Sequence, residues 1–276
     1  MNIGIGSKLN YEKGENIESY SKNISTGLEL GYRFIDLWNR DESTRPLIES
    51  IKDSEIHRSE IFICAGTYSA LSESDFKNKY SNLEYLDLLY ICNPPITTDI
   101  SVFRICILEL YNSLYKLKNA GLIKNIGICN FYDSQLELFL KVLDEYNLEY
   151  PEYGLLEIHP LNSNFRLVQK YKNYNIRLIS FSPLGYEANG IYKYNKQIKY
   201  LSKKYNCTVY NILLAYCTNN DIIPIPKAYN LKHLESNLTS IQLESSDLDL
   251  LESLNINSIF NNDSVNAKMT SLQLRY

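Results

Sequence analysis

The stretch Leu117-Lys-Asn-Ala-Gly-Leu-Ile-Lys-Asn-Ile-Gly-Ile-Cys-Asn-Phe131 changes from one periodicity to another within a single short segment. Its first residues end a helical pattern over Val102–Ala120, and Gly121 is a helix stop signal. After the glycine, Ile126–Phe131 is a brief Ile-rich run without polar alternation. Such a run is typical of a strand buried on both faces of a parallel sheet. The segment therefore predicts a helix followed by a buried parallel strand.

The same alternation extends in both directions along the chain. The candidate strands are Ile3–Gly6, Phe34–Trp38, Ile61–Gly66, Leu86–Cys92, Ile126–Phe131, Gly154–His159, Arg177–Pro183 and Ile222–Pro226. The candidate helices are Ile17–Leu30, Leu47–Ser54, Val102–Ala120, Asp133–Tyr146, Asn164–Tyr174, Lys196–Tyr205, Val209–Cys217, Leu231–Leu238 and Ser245–Leu254.

Eight strands with intervening helices predict an α/β fold, a closed (β/α)₈ TIM barrel that forms one domain over residues 1–276. The alternative is an open doubly wound sheet, but no G-x-G-x-x-G follows the first strand. The polar tail, residues 255–276, either folds over the barrel mouth or is mobile.

The charge, apolar runs and cysteines of the sequence limit the binding partners and the cellular compartment that we expect for the protein. The formal net charge is -4, so the sequence predicts no electrostatic attraction to nucleic acid or anionic membranes. The lysines of the Lys193–Lys204 stretch are interpreted as a solvated helix face. No signal peptide and no apolar run of about 18 residues is present. The six cysteines form no C-x-x-C pair, which indicates free thiols in a reducing cytoplasm and no metal site.

Five segments, in order along the chain, resemble signatures of the aldo-keto reductases. They are Gly27-Leu-Glu-Leu-Gly-Tyr-Arg-Phe-Ile-Asp36, Leu117–Phe131, Glu157-Ile-His-Pro160, Phe181-Ser-Pro-Leu-Gly185 and Ile225-Pro-Lys-Ala-Tyr-Asn230. The resemblance implies the same (β/α)₈ barrel. It also implies reduction of carbonyls by a nicotinamide cofactor, usually NADPH, with Asp, Tyr, Lys and His at the C-terminal mouth of the barrel.

Three of those four catalytic positions hold other residues here. Asp36 matches the family aspartate, whereas Asp41, Gly66 and Cys92 stand where the resemblance implies Tyr, Lys and His. An aspartate is ionised near pH 7, glycine has no side chain, and a thiol is a weak hydrogen-bond donor. Asp36 has thus lost its ammonium partner, for which Arg40 is a candidate replacement.

The positions that the resemblance assigns to the cofactor are kept in part. Those retained or tolerably changed are Asn130, Phe181, Ser182, Leu184, Lys227 and Asn237. Those changed are Cys129 for serine, Leu155 for glutamine, Ala228 for serine, His233 for the arginine that clamps the 2′-phosphate, and Ser236 for an acid. Histidine does not offer the permanent bidentate charge of a guanidinium. NADP(H) or NAD(H) binding is therefore expected to be weak or lost.

Several other side chains carry two interpretations each. Cys64, Cys92 and Cys129 either bind zinc or form a redox site, or fill the core. Trp38 either fills space beside Asp36 or stacks on a ligand, and Tyr68 is a candidate relocated acid. His233 is either an anion contact or a surface residue, His159 is interpreted as structural, and His57 lies in a polar loop.

These observations favour an aldo-keto reductase-like pseudoenzyme that acts by binding a ligand or a protein partner. The alternative is an active NAD(P)H-dependent oxidoreductase, or a protein with altered chemistry at the barrel mouth. The architecture predicts that Asp36, Gly66 and Cys92 cluster at that mouth.

Overall fold

The computed structural model describes residues 3–6, 17–38, 41–80, 83–185, 189–228, 230–260 and 265–268. Its strands are β1 (Ile5–Gly6), β2 (Phe34–Asp36), β3 (Phe62–Thr67), β4 (Leu86–Ile91), β5 (Ile123–Cys129), β6 (Tyr153–Glu157), β7 (Arg177–Phe181) and β8 (Ile222–Ile225). Each strand pairs in parallel with the next in chain order.

Two backbone hydrogen bonds close the sheet between its first and last strands. Gly4 N donates to Pro224 O over 2.9 Å, and Gly6 N donates to Pro226 O over 3.0 Å. A Cβ atom on Gly6 would lie 2.7 Å from Ile225 O, so this close approach requires glycine. The eight parallel strands and intervening helices confirm the predicted (β/α)₈ barrel.

The helices surround the barrel. They are α1 (Ile17–Glu29), α2 (Asp41–Asp53), α3 (Glu73–Lys79), α4 (Ile100–Asn119), α5 (Asp133–Glu145), α6 (Phe165–Asn173), α7 (Asn189–Tyr194), α8 (Lys196–Lys204), α9 (Val209–Asn219), α10 (Leu231–Asn237) and α11 (Ser245–Glu252).

Apolar side chains form two separate layers. The larger layer lies between the sheet and the helices. Buried Leu, Ile and Phe side chains of the helices contribute to it. The smaller fills the barrel itself, and its buried members are Phe34, Cys64, Leu88, Tyr90, Cys92, Cys129, Tyr153, Leu155, Ile179 and Ile225. All residues of β4 and β6 are buried, as expected for strands covered on both faces.

Two helices were missing from the sequence prediction and one was predicted too short. α3 buries only Phe76, so it has no apolar periodicity; its start is marked instead by a capping box between Ser72 and Asp75. α7 is a six-residue helix. α2 begins at Asp41 rather than Leu47, because its first turns are polar and include Pro46. The structure thus extends the predicted helix toward the N-terminus by six residues, to Asp41.

Residues 256–260 of the C-terminal tail contact the C-terminal end of β6 and the segment after it. Ile256 N and Ser258 N donate to Leu161 O over 3.2 and 3.0 Å. Phe260 N donates to Glu157 Oε1 over 2.9 Å. These hydrogen bonds hold residues 256–260 against the end of β6 and the segment that follows it. None of the described helices is both long and apolar enough to cross a membrane.

Candidate functional site

A pocket opens at the C-terminal mouth of the barrel, where parallel strands of this fold place their functional side chains. Its volume is about 360 Å³, including the solvent in its opening. It is lined by Asp36, Trp38, Tyr68, Tyr90, Cys92, Cys129, Asn130, Leu155 and Phe181. A Cβ atom on Gly66 would lie 2.4 Å from Cys92 Sγ. The prediction that Asp36, Gly66 and Cys92 cluster at the mouth is therefore confirmed.

Asp36 ends β2 and is held by the turn that follows it. Trp38 N donates to Asp36 Oδ1 over 3.3 Å. Trp38 adopts a left-handed backbone with φ of 52°, a conformation that costs a non-glycine residue on the order of 1 kcal/mol or more. This turn brings the indole to the pocket lining, next to the carboxylate.

The carboxylate of Asp36 is buried and receives hydrogen bonds from neighbouring strands. Tyr90 Oη donates to Oδ1 over 3.0 Å, and Cys64 Sγ donates to the same oxygen over 3.3 Å. Burial raises the pKa of Asp36 to about 6, although these donors and Trp38 N oppose the rise. Burial, together with the negative charge of Asp36, raises the pKa of Tyr90 well above its ordinary value.

Tyr90 occupies the space beside the side-chain-less Gly66. The two residues are paired across β3 and β4. A Cβ atom built on Gly66 would lie 2.7 Å from Tyr90 Cε2, closer than such atoms approach in proteins. The aromatic ring therefore fills the room into which a side chain at position 66 would project, and its hydroxyl bonds to the aspartate.

Sequence reasoning did not identify Tyr90 as a member of the site. It lies within an apolar strand among many other tyrosines, of which the chain has 24. The available signal was its position two residues before Cys92, which in a strand puts both side chains on the same face. A large aromatic residue opposite a strand glycine is a known way to fill the space that the glycine leaves.

Two of the predicted positions lie wholly or in part outside the described residues. Arg40, the candidate partner for Asp36, lies outside the described residues. Asp41 is the first residue of α2, and its side chain also lies outside what the structure describes.

Two of the proposed cofactor-binding residues, Asn130 and Phe181, lie at the pocket. Asn130 is buried with φ of 62°, and its Nδ2 donates to Asn93 Oδ1 over 2.8 Å. Phe181 ends β7 and is partly buried. Cys129 and Leu155, which replace polar residues of the family pattern, complete this side of the pocket.

The remaining cofactor candidates lie outside the pocket lining. Ser182 has φ of 47°, Leu184 packs against the outer core, and Lys227 follows β8 and is partly buried. His233 is exposed on α10, whereas Asn237 is buried there. Tyr32, in the segment after α1, donates its Oη to Leu234 O of α10 over 2.9 Å and so connects the two segments. Ser236 contacts Asn211 of α9.

His159 has a structural environment, as its interpretation from sequence required. It is fully buried, with Nε2 3.1 Å from Glu157 Oε1 and Nδ1 2.8 Å from Tyr192 Oη. His57 is exposed and contacts Ser59.

The three mouth cysteines pack as part of the barrel interior. Cys64, Cys92 and Cys129 are buried cysteines that form no disulfide, and burial raises the pKa of Cys64 well above its ordinary value. Within the described ranges, no group of three or more His, Cys, Asp or Glu residues is arranged to hold a metal ion. This environment supports core filling over zinc binding.

Comparisons with known proteins agree with this architecture. The family model described as "Aldo/keto reductase family" matches residues 2–256. The chain is 28% identical to aldose reductase C of Dictyostelium discoideum, over 92% of this chain and 86% of that protein. It is 27% identical to the methylglyoxal reductase DkgA of Escherichia coli strain K12, over 78% of this chain and 76% of that protein.

Solved structures show the same fold at lower sequence identity. An aldo-keto reductase enzyme from a Medee basin deep-sea metagenome library superposes with a TM-score of 0.80 at 24% identity, covering 94% of this chain and 93% of that one. The aldose reductase of Giardia lamblia superposes with a TM-score of 0.78 at 19% identity, covering 94% of each chain.

Proposed function

Because the chain belongs to the aldo/keto reductase family, we propose that it has kept the family's barrel and mouth pocket but not its carbonyl reduction. In this proposal the protein acts by binding a small molecule, or a protein partner, at the mouth. The observation that carries this proposal is the arrangement of Gly66 and Tyr90. The tyrosine ring occupies the room beside the glycine, and its hydroxyl donates a hydrogen bond to Asp36.

Carbonyl reduction requires a proton donor and stabilisation of negative charge on the carbonyl oxygen. Tyr90 is a poor donor, because its hydroxyl proton is directed at Asp36 and its pKa is raised. The carboxylate of Asp36 brings negative charge to the pocket, and no Lys, Arg or His nitrogen of the described residues lies within ion-pairing distance of it. Such a site opposes a forming alkoxide.

The residues at the mouth fit a nicotinamide ring in part. Phe181 offers a ring face, and the side chain of Asn130 has an amide oxygen in addition to the Nδ2 bonded to Asn93. Lys227 and His233 would face the phosphates if the family arrangement holds. A bound nicotinamide nucleotide would supply or accept hydride; these residues would only orient it.

Reductase activity tests the proposal directly. We expect the purified protein to oxidise NADPH with 4-nitrobenzaldehyde at least about 100-fold more slowly than an active family member measured in parallel, since general acid catalysis alone contributes about 10² to 10⁴-fold. Steady turnover that is abolished by Asp36→Ala would contradict this expectation.

A second candidate function is an active oxidoreductase in which another residue supplies the proton. It is favoured by Tyr68, which lines the pocket and has 49% of its surface exposed. If turnover is found, Tyr68→Phe should abolish it under this alternative. Tyr200→Phe, which changes an exposed tyrosine on α8, should leave it unchanged.

A further inference from the structure

We infer that the mouth pocket binds the cationic end of a small organic molecule, a quaternary ammonium or a pyridinium group. Asp36 is its counter-ion, and Trp38, Tyr68 and Phe181 provide aromatic walls. This inference rests on the proposed function, because it names the class of ligand that the altered site prefers.

The first observation concerns the two carboxylate oxygens of Asp36. The donors from Tyr90, Cys64 and Trp38 all reach Oδ1. Oδ2 accepts none of the hydrogen bonds found among the described residues, yet Asp36 is only 4% exposed and lines the pocket. Oδ2 itself is not fully buried, so the positive charge of a ligand in the pocket can reach it.

The second observation concerns charge. Across the described residues, no cationic side chain forms an ion pair with Asp36, and the groups packed against the carboxylate are neutral donors. At neutral pH and above, Asp36 is therefore an uncompensated negative charge in a poorly solvated place. A bound cation would gain Coulomb energy there, whereas an anion would be repelled.

The third observation is the nature of the walls. Four of the nine lining residues are aromatic, namely Trp38, Tyr68, Tyr90 and Phe181. Ring faces attract organic cations, because the negative face of the ring quadrupole interacts with the positive charge. Methylated ammonium and pyridinium groups are weakly hydrated, so they lose less in leaving water than a metal ion or a primary ammonium does.

The pH dependence of binding identifies the counter-ion. The titratable groups around Asp36 are Cys64 on β3, Tyr90 on β4, Cys92 after β4, Cys129 on β5 and Tyr68 after β3. All are thiols or phenols, whose ordinary pKa values lie above about 8. Between pH 5 and 8, the charge of this pocket changes at Asp36, so affinity for a cation should increase as the pH rises through about 6.

Matched pairs of probes test the inference. 1-Methylnicotinamide is a cation and nicotinamide its neutral counterpart; choline is a cation and 3,3-dimethylbutan-1-ol its neutral counterpart. Trp38 is the only tryptophan, so its fluorescence reports on this pocket, and calorimetry gives an independent affinity. At pH 8 we expect each cation to bind at least about tenfold more tightly than its neutral counterpart. The preference should fall to about twofold or less at pH 5.

The two pairs also distinguish the possible sources of the ligand. A preference restricted to 1-methylnicotinamide, accompanied by tighter binding of NADP⁺ than of NADPH, points to an oxidised nicotinamide nucleotide. A preference shared by choline points to a separate small ammonium compound. Both results support an organic cation as the ligand.

Variants complete the test. Asp36→Asn should remove the cation preference, whereas Asp221→Asn, which neutralises a carboxylate that is 92% exposed, should preserve it. Should Asp36→Asn fail to fold, Phe181→Leu retains the carboxylate and should weaken both cations more than their neutral counterparts. Equal binding within each pair at pH 8, or a preference that survives Asp36→Asn, overturns the inference. Neither result bears on the proposed loss of reductase activity. Conversely, reductase turnover would overturn the proposed function while a measured cation preference would stand.

Discussion

At the scale of single residues, the properties of Asp36 depend on the side chains that surround it. The aspartate matches the family pattern in sequence, but its neighbours here are a phenol, a thiol and a backbone amide rather than an ammonium. Its pKa is consequently raised by burial rather than lowered by a cation. The proposed loss of carbonyl reduction is consistent with this environment of Asp36.

The raised pKa of Asp36 predicts a pH-dependent cost in stability. A pKa of about 6 in the folded protein, against 3.8 for an ordinary aspartate, means that the folded state holds this proton more tightly than the unfolded chain. The free energy of unfolding should therefore fall as the pH rises from about 4 to 6. Asp36→Asn should remove this cost and stabilise the protein by about 2–3 kcal/mol at pH 8, with little effect below about pH 4.

Urea unfolding at several pH values measures this difference. Asp221→Asn is the matched control, because that carboxylate is exposed and should contribute almost nothing at any pH. A destabilised Asp36→Asn variant at pH 8 would mean that the carboxylate has a partner that stabilises its charge.

At the scale of elements, β3 and β4 illustrate what the sequence can and cannot predict. The strands themselves follow from short Ile- and Leu-rich runs, and the loss of a side chain at Gly66 is evident from the sequence. The filling of that space by Tyr90 is not, because it depends on the register that pairs Gly66 with Tyr90 across two strands. α3 shows the converse case: a helix with one buried residue and no periodicity is recognisable only by its Ser72–Asp75 capping box.

The pairing of Gly66 with Tyr90 predicts coupled mutational effects. Gly66→Ala should destabilise the protein by about 1–3 kcal/mol, because the new methyl group would overlap Cys92 Sγ and the Tyr90 ring. Tyr90→Leu should remove part of that overlap. The cost of Gly66→Ala should therefore be smaller by about 1 kcal/mol or more when Tyr90→Leu is already present.

A double-mutant cycle measured by urea unfolding gives this coupling. Gly190→Ala on α7 is the control, since a Cβ there meets no atom within 4 Å and should be neutral or slightly stabilising. Strictly additive effects of Gly66→Ala and Tyr90→Leu would show that the tyrosine does not occupy the room beside the glycine.

At the scale of the whole molecule, the barrel holds its two candidate cofactor regions on different elements. The nicotinamide side lies at the pocket, with Asn130 after β5 and Phe181 at the end of β7. The phosphate side depends on Lys227 after β8 and on His233 on α10, both outside the pocket lining. Under the proposed function, the chain keeps the nicotinamide half of a nucleotide site and weakens the phosphate half.

This division predicts how the protein binds nicotinamide nucleotides. Replacing a bidentate arginine by histidine removes charge-assisted hydrogen bonds worth about 1.5–3 kcal/mol each, so NADPH should bind about 10 to 100-fold more weakly than in a member with the arginine. At about pH 8 we expect little preference for NADPH over NADH.

Trp38 fluorescence titrations with both nucleotides provide the affinities. His57→Ala is the control, because that exposed histidine lies near Ser59, away from the mouth residues, and should leave both affinities unchanged. His233→Arg should raise NADPH affinity about tenfold without changing that for NADH, since only NADPH carries the 2′-phosphate. Sub-micromolar NADPH affinity that survives His233→Ala would place the phosphate on residues other than His233, and the preference of this barrel for a nucleotide would then have to be explained from those contacts.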